Sequence, residues 1–550
     1  MKRHVEGLVR QALSDAIAAG RLRSPAVPPF AVEVPSDPKF GDLSTNAALV
    51  LARAEARPPR AIAEALLPHL DAAAPAGWLQ TAPEIAGPGF INFRLAAPFW
   101  HRMLADALAQ GEEYGRSTVG VGRRVQVEFV SANPTGPLTV GHGRNAVIGD
   151  TLARLLAANG WTVEREYYFN NAGRQMTKLA ESVRARYLEL LGRDGALPED
   201  GYQGEYIRDV ARTLLERDGA GLADADLAVF REVAEQSIFA LIRATQDRMG
   251  ICFDRYFNED SLYRSSAIQR TLAALDERGL LDRRDGAVWL RGAAVGLAQD
   301  RVLVKSSGEP AYRLPDVAYH LDKIERGYDA IIDVLGADHI AEHQEVAAAL
   351  RALDHETTRI RPVIYQFVTL TRHGEQVKMS TRRAEYVTLD ELLDEVGVDA
   401  ARFFFLMRKS DSHLEFDLDL AKQQSTDNPV FYVQYAHARI ASVLRQAREA
   451  GVTPESHPDL GPLGEEEVEA LRVLAQYPDV VEAAARDLEP HRVVFFALDL
   501  AGAFHRYYNR QRILSDDAAS TQARLALVRA IQQVLRSALG LAGVTAPERM

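Results

Sequence analysis

A single cysteine among 550 residues, Cys252, excludes an intrachain disulfide and leaves no C-x-x-C pair from which a thiolate zinc cage could be built. We expect it to be buried as a small hydrophobe. Long apolar runs are also missing: nothing approaches the roughly 18 uninterrupted residues that a bilayer crossing needs. The first twenty residues space Val5, Leu8, Val9, Leu13 and Ile17 as an amphipathic helix does, with charges between them, and not as a signal peptide does. These absences predict a cytoplasmic chain with no membrane partner. No internal repeat or low-complexity tail stands out, and a surplus of positive charge is lacking. The net charge of −12 argues mildly against generic nucleic-acid binding, although local basic patches can override a global balance.

What is there is ordinary material for a large globular enzyme: 47% hydrophobic and 25% charged residues. The length is too great for one core and suggests roughly three or four folding units. Residues 1–112 combine the amphipathic helix, FGDLSTNAA and the strand-like GFINFRL, which reads as a small α+β domain. Residues 113–425 contain strand signals in VQVEFV, TVEREYYF, YDAIIDVLG and RPVIYQFVTL, separated by helical stretches, the pattern of a Rossmann-type parallel α/β sheet. In VQVEFV, Val125, Val127 and Phe129 alternate with Gln126 and Glu128. A helical insertion over about 176–295 interrupts the rhythm. From 426 to 550 strand signals stop, and Asn428-Pro429 caps the first helix of an all-α bundle.

The segment Val125–Asp150, VQVEFVSANPTGPLTVGHGRNAVIGD, passes from strand through a Pro and Gly turn into a helix beginning near Gly141 and His142. A helix N-terminus offers unpaired N–H groups and partial positive charge to a phosphate, and Gly141 clears the approach. An ordinary βα turn with a surface histidine has the same local pattern, so the company the segment keeps decides its meaning.

That company is specific. The segment resembles the H-x-G-H nucleotide motif of class I aminoacyl-tRNA synthetases, preceded by the Asn-Pro turn typical of the arginyl enzymes. It is written here Thr139-Val140-Gly141-His142, and threonine can hydrogen-bond but cannot carry positive charge. Val377-Lys378-Met379-Ser380-Thr381-Arg382-Arg383 resembles the K-M-S-K-S loop, with Thr381 at the second lysine position. REYYFNNAGRQ is similar to the arginyl E-Y-Y-x-N-D-A-G, with Asn171 where Asp is usual. FDRYFNEDSLY, DRVLVKSSGEPAYRLPDVAYHLDK, VLGADH and a terminal APERM follow in the same order, so the resemblance to the arginyl-tRNA synthetase family covers nearly the whole chain.

The resemblance implies ATP-dependent attachment of L-arginine to tRNA(Arg) through an arginyl-adenylate. His142 and Lys378 would be catalytic, and Thr139, Gly141, Gly143, Met379 and Ser380 would join them around ATP. Mg2+ would come with ATP, bound through its phosphates, and no protein metal site is expected. Guanidinium recognition needs forked carboxylate acceptors. By resemblance Asp316 and Tyr312, one helical turn apart, and Glu259 supply that site, Asn133 holds the polar end of the amino acid, and His339 or Gln344 lies nearby. Contact with tRNA is expected from Lys39 and Asn46 at the elbow, and from Tyr435, His437, Arg439, Tyr508 and Arg512 in the bundle, where aromatic rings and cations suit unpaired bases. The family usually acts as a monomer. Two alternatives stay open: a tRNA-binding paralogue with weakened or lost activation, motivated by Thr139 and Thr381, and a class I synthetase for another amino acid.

Overall fold

The computed structural model describes residues 1–171, 174–377 and 387–550. Five strands, Arg124–Glu128, Thr162–Phe169, Arg255–Asn258, Ala330–Gly336 and Ile360–Tyr365, form one sheet in which every neighbouring pair is parallel. Numbered along the chain, their order across the sheet is fifth, fourth, first, second, third. The winding direction reverses between the first and fourth strands, and a crevice opens there at their carboxyl ends. Both faces of the sheet are covered, which is why Gln126 is fully buried along with Val125 and Val127 instead of facing water.

The helix after the first strand, Val140–Ala158, is buried along almost its whole length because the C-terminal helices also pack on it. The expected single strand RPVIYQFVTL divides in two. Arg144 takes the carbonyl of Gln366 at 2.6 Å, and the Gln366 N–H donates to Ser410 at 3.0 Å. The chain is thereby redirected so that Val368–Arg372 joins a second small sheet beside Leu414–Asp417.

The span 176–295 is not uniformly helical. Helices Arg174–Leu190, Glu205–Asp218 and Leu227–Arg248 fill its first part, but Arg255–Asn258 is the third strand of the main sheet. Beyond it, Leu281–Arg284, Ala287–Leu290 and Arg301–Val304 make an antiparallel sheet. The four-residue Arg-Tyr-Phe-Asn strand is too short and too polar to carry an alternating signal. Cys252, in the loop before that strand, is exposed, not buried: its neighbour Ile251 takes the inward position.

The N-terminal part is a four-stranded antiparallel sheet backed by helices that include Lys2–Ala18 and Pro59–Ala73. At the other end five helices, Pro429–Glu449 through Ala518–Ala542, form the bundle, and the Asn428 side chain accepts the Val430 N–H at 3.2 Å as the cap. Ala518–Ala542 is long and apolar enough, by length and composition alone, to cross a membrane. Its Leu525, Leu527, Val528 and Ile531 are buried in the bundle core, which accounts for its hydropathy.

Candidate active site

At the reversal point Asn145 fills the fork between the parting strands. Its Oδ1 accepts the Val130 N–H at 2.6 Å, and its Nδ2 donates to the Val334 carbonyl at 2.9 Å. Val130 and Ser131 both have positive φ, 64° and 42°, a region that a β-branched residue resists. The bond from Asn145 and two more through Ser131, whose hydroxyl donates to Glu128 and accepts the Tyr168 N–H, hold the turn in place. The turn carries Ala132 and Asn133 to the wall of a cavity of about 430 Å³. His142, Tyr312, Asp316 and His339 line the same cavity, as do Tyr168, Gln175, Glu342 and His343.

His142 enters from the first turn of its helix. The Thr139 N–H donates to His142 Nδ1 at 3.1 Å, and Thr139 Oγ1 lies 3.1 Å from the same nitrogen. A ring nitrogen that accepts a backbone N–H carries no proton, so the neutral imidazole has its proton on Nε2. Burial pushes the pKa down to about 4, which keeps the ring neutral at pH 7. Gly141 has no protein neighbour that forbids a side chain: an added Cβ would meet only Thr139 Oγ1, at 3.8 Å. At Gly143 a Cβ would stand 2.6 Å from Leu389 and 3.1 Å from the Phe405 ring, so that glycine serves packing. Thr139 also bridges to Thr388, and the Leu389 N–H donates to the Leu138 carbonyl at 2.8 Å. Lys378, Met379 and Ser380 lie outside the described residues.

The acids of the cavity fall into two groups. Glu128 and Asp333 are both paired with Lys323, which is fully buried and donates to Asp333 Oδ1 at 2.6 Å and also to Glu128. Burial acts to raise Asp333, but Lys323 and the imidazoles of His320 and His343 outweigh it and hold the carboxyl well below the usual range. His320, Asp333 and His343 bring their ligating atoms within 4.8 Å of one another. With Lys323 already on Asp333, an ammonium group supplies the charge that a metal ion would bring there.

The second group, Asp316 on the cavity wall and Glu259 near it behind Tyr168, has no such partner among the described residues. Burial raises the pKa of Asp316 well above normal, and Glu342, Glu259 and Glu128 raise it further while Lys323 opposes. Glu259, 6% exposed, sits behind Tyr168 and Tyr263; burial raises it while hydrogen bonds from those hydroxyls lower it. Among the described residues neither acid forms an ion pair with a lysine or arginine. A pocket wall of acids without a base is chemically a cation site. Tyr312, 64% exposed, stands at its mouth. Gln344 is exposed and is not among the residues lining the cavity.

Glu342, Asn145 and Tyr168 were not singled out from the sequence. Glu342 was within reach: it follows His339 by three residues on the helix turn that begins at Ile340, a spacing that places both on one face.

The residues considered for RNA contact are dispersed. Arg439 stacks over Tyr435 at 4.4 Å and Tyr508 at 4.9 Å, and donates to the Tyr435 hydroxyl at 2.7 Å. All three are partly exposed, and Arg512 is exposed. His437 is different: it is completely buried, with Nδ1 2.8 Å from the Pro547 carbonyl, and so is closed to a base. Its place on the helix matched Tyr435 and Arg439 in composition but not in face. Lys39 is exposed beside Asp37, whereas Asn46 Oδ1 is occupied by the Ala31 N–H at 2.8 Å.

Comparison with known proteins accords with this geometry. Residues 3–95 match the family model "Arginyl tRNA synthetase N terminal domain", residues 103–417 match "tRNA synthetases class I (R), catalytic domain", and residues 433–550 match "DALR anticodon binding domain". The chain is similar to the arginine–tRNA ligase of Desulfotalea psychrophila, with 49% identity over 95% of both chains, and to that of Syntrophotalea carbinolica, with 47% identity over 100% of both. In fold it resembles the Thermus thermophilus arginyl-tRNA synthetase, with a TM-score of 0.78 at 24% identity and 100% coverage of each chain.

Proposed function

Since the chain belongs to the arginyl-tRNA synthetase family of class I, we propose that it joins L-arginine to tRNA(Arg) at the expense of ATP. The observation that carries this reading is Asp316, an acid without a lysine or arginine partner among the described residues, in the cavity that His142 also lines, with Glu259 beside it behind the lining Tyr168. A guanidinium supplies the cation that this wall lacks. The arginine carboxylate attacks the α-phosphate of ATP in line, its bond to phosphorus forms as the bond to pyrophosphate breaks, and arginyl-adenylate results. A ribose hydroxyl at the tRNA 3′ end then attacks the activated carbonyl and releases AMP.

Positioning and charge stabilisation carry most of such a reaction. The free N–H of Gly141 at the start of the helix and the Nε2–H of His142 donate to phosphate oxygens, Asn133 holds the polar end of arginine, and Lys378, with Met379 and Ser380, adds positive charge at the phosphates. Mg2+ would come with ATP and supply positive charge at its phosphates. Tyr435, Arg439, Tyr508 and Arg512 receive the anticodon stem, and Lys39 contacts the tRNA elbow. In this reading residues 1–112, 113–425 and 426–550 act as elbow-binding, catalytic and anticodon-binding units of a cytoplasmic monomer. The test is a charging assay with each of the twenty amino acids in the presence of tRNA. Arginine alone should be attached; attachment of another amino acid, or of none, would overturn the proposal.

A further inference from the structure

Glu342 lines the same cavity as Asp316, from the first turn of the helix Ile340–Ala352, while Asp316 comes from the first turn of Arg313–Glu325. The two carboxyl groups face the same cavity and act on each other electrostatically. Two acids so close in a confined site do not both ionise without a compensating cation. The groups facing them divide unequally. Glu342 receives His339, whose Nδ1 lies 3.3 Å from Oε2, and is held below its ordinary value by that hydrogen bond, with burial opposing and the charges of His339 and Arg313 and the bond to Asp316 assisting. Asp316 is raised by burial first and then by Glu342, Glu259 and Glu128, with Lys323 opposing, and its charge also acts on His339. In the ligand-free protein Asp316 is therefore the member that holds a proton more readily, and Glu342 the member that ionises more readily.

We propose that Glu342 is a guanidinium ligand that acts with Asp316, the two carboxyl groups dividing the N–H donors of the bound arginine between them. This rests on the reading of the cavity as an arginine site and adds a residue to it. A planar guanidinium has five donors, and a carboxylate on a second helix can meet an edge that Asp316 and Glu259 leave free. The guanidinium takes the place of a proton as the positive charge between the two acids, so arginine binding favours release of a proton from the pair.

The experiment compares wild type, Glu342→Gln, Glu342→Asp and Asp316→Asn in ATP–pyrophosphate exchange with tRNA present, with thermal unfolding as a check on folding. It is paired with calorimetric titration of arginine in two buffers of different ionisation enthalpy. We expect Glu342→Gln to raise the KM for arginine about 10- to 100-fold, the scale of a charge-assisted hydrogen bond, with the KM for ATP within about twofold. Glu342→Asp should recover part of the loss, and the proton release seen in wild type should vanish in Glu342→Gln. An arginine KM within twofold of wild type in Glu342→Gln, alongside a strongly raised one in Asp316→Asn, would overturn the role of Glu342 alone. Unchanged values in both variants would overturn the arginine site with it.

Discussion

The backbone N–H of Thr139 and the ring of His142 meet at 3.1 Å, through Nδ1. That contact closes the first turn of the helix and fixes the imidazole as an Nε2–H donor, so the residue that departs from H-x-G-H acts on its neighbour through the main chain. His142→Ala should lower the exchange rate by about 10² to 10³, the scale of one lost transition-state donor, with the fold unchanged. Thr139→Ala keeps the N–H and should cost less than about tenfold. Equal losses in the two variants would show that the threonine side chain does more than cap the helix.

Asp316 gives opposite predictions for stability and binding. Its folded pKa is raised above the ordinary 3.8, so its favourable contribution is full in acid and is lost as the pH rises through the raised value. At pH 8 the ligand-free wild type carries a penalty that asparagine lacks. Asp316→Asn should therefore unfold a few degrees higher at pH 8, the difference shrinking as the pH falls, while its KM for arginine rises by about 100-fold or more. Unfolding scans across pH and arginine saturation curves check the two halves separately.

Much of this was legible in the sequence, and the limits have physical causes. Strands such as Thr162–Phe169 and the capped helix at Asn428 announce themselves through period and cap chemistry. The Arg255–Asn258 strand does not, because it is short, half-exposed and defined only by its partner. Tyr435, Arg439 and His437 share one helical segment, yet only the packing of the C-terminal tail on His437 separates buried from exposed. Within the site, Asp316 and Tyr312 came from motif resemblance. Glu342 was legible in part, through its spacing from His339, but Asn145 needed the fold, since its meaning lies in a partner 189 positions away, Val334.

Arg402 ties four parts of the molecule together. Fully buried, it donates to the Asp150 carboxylate, to the Ala542 carbonyl at 2.9 Å and to the Met249 carbonyl at 3.0 Å. Arg402→Met leaves Asp150 buried with only the flanking Arg154 and Arg165 and should cost roughly 3 to 5 kcal/mol of stability. Adding Asp150→Asn should restore part of it. Denaturant unfolding of the single and double variants measures the coupling, and a single variant within 1 kcal/mol of wild type, an estimate at the scale of an exposed pair, would deny the latch.

For tRNA, Arg439→Ala should raise the charging KM for tRNA about tenfold, the loss of one stacking or phosphate contact, with the KM for arginine unmoved. His437→Ala should instead lower the unfolding temperature with little effect on the KM for tRNA at low temperature, because its ring touches the tail and not the surface.

The central claim is that one cavity holds a phosphate at the His142 turn and a guanidinium at Asp316. A crystal structure with a non-hydrolysable arginyl-adenylate analogue tests it most directly. The account predicts the analogue's phosphate-mimicking group against Gly141–Gly143 and Nε2 of His142, with the guanidinium between Asp316 and Glu259 and touching Glu342. A guanidinium bound elsewhere, with Asp316 and Glu259 left facing water, would contradict it.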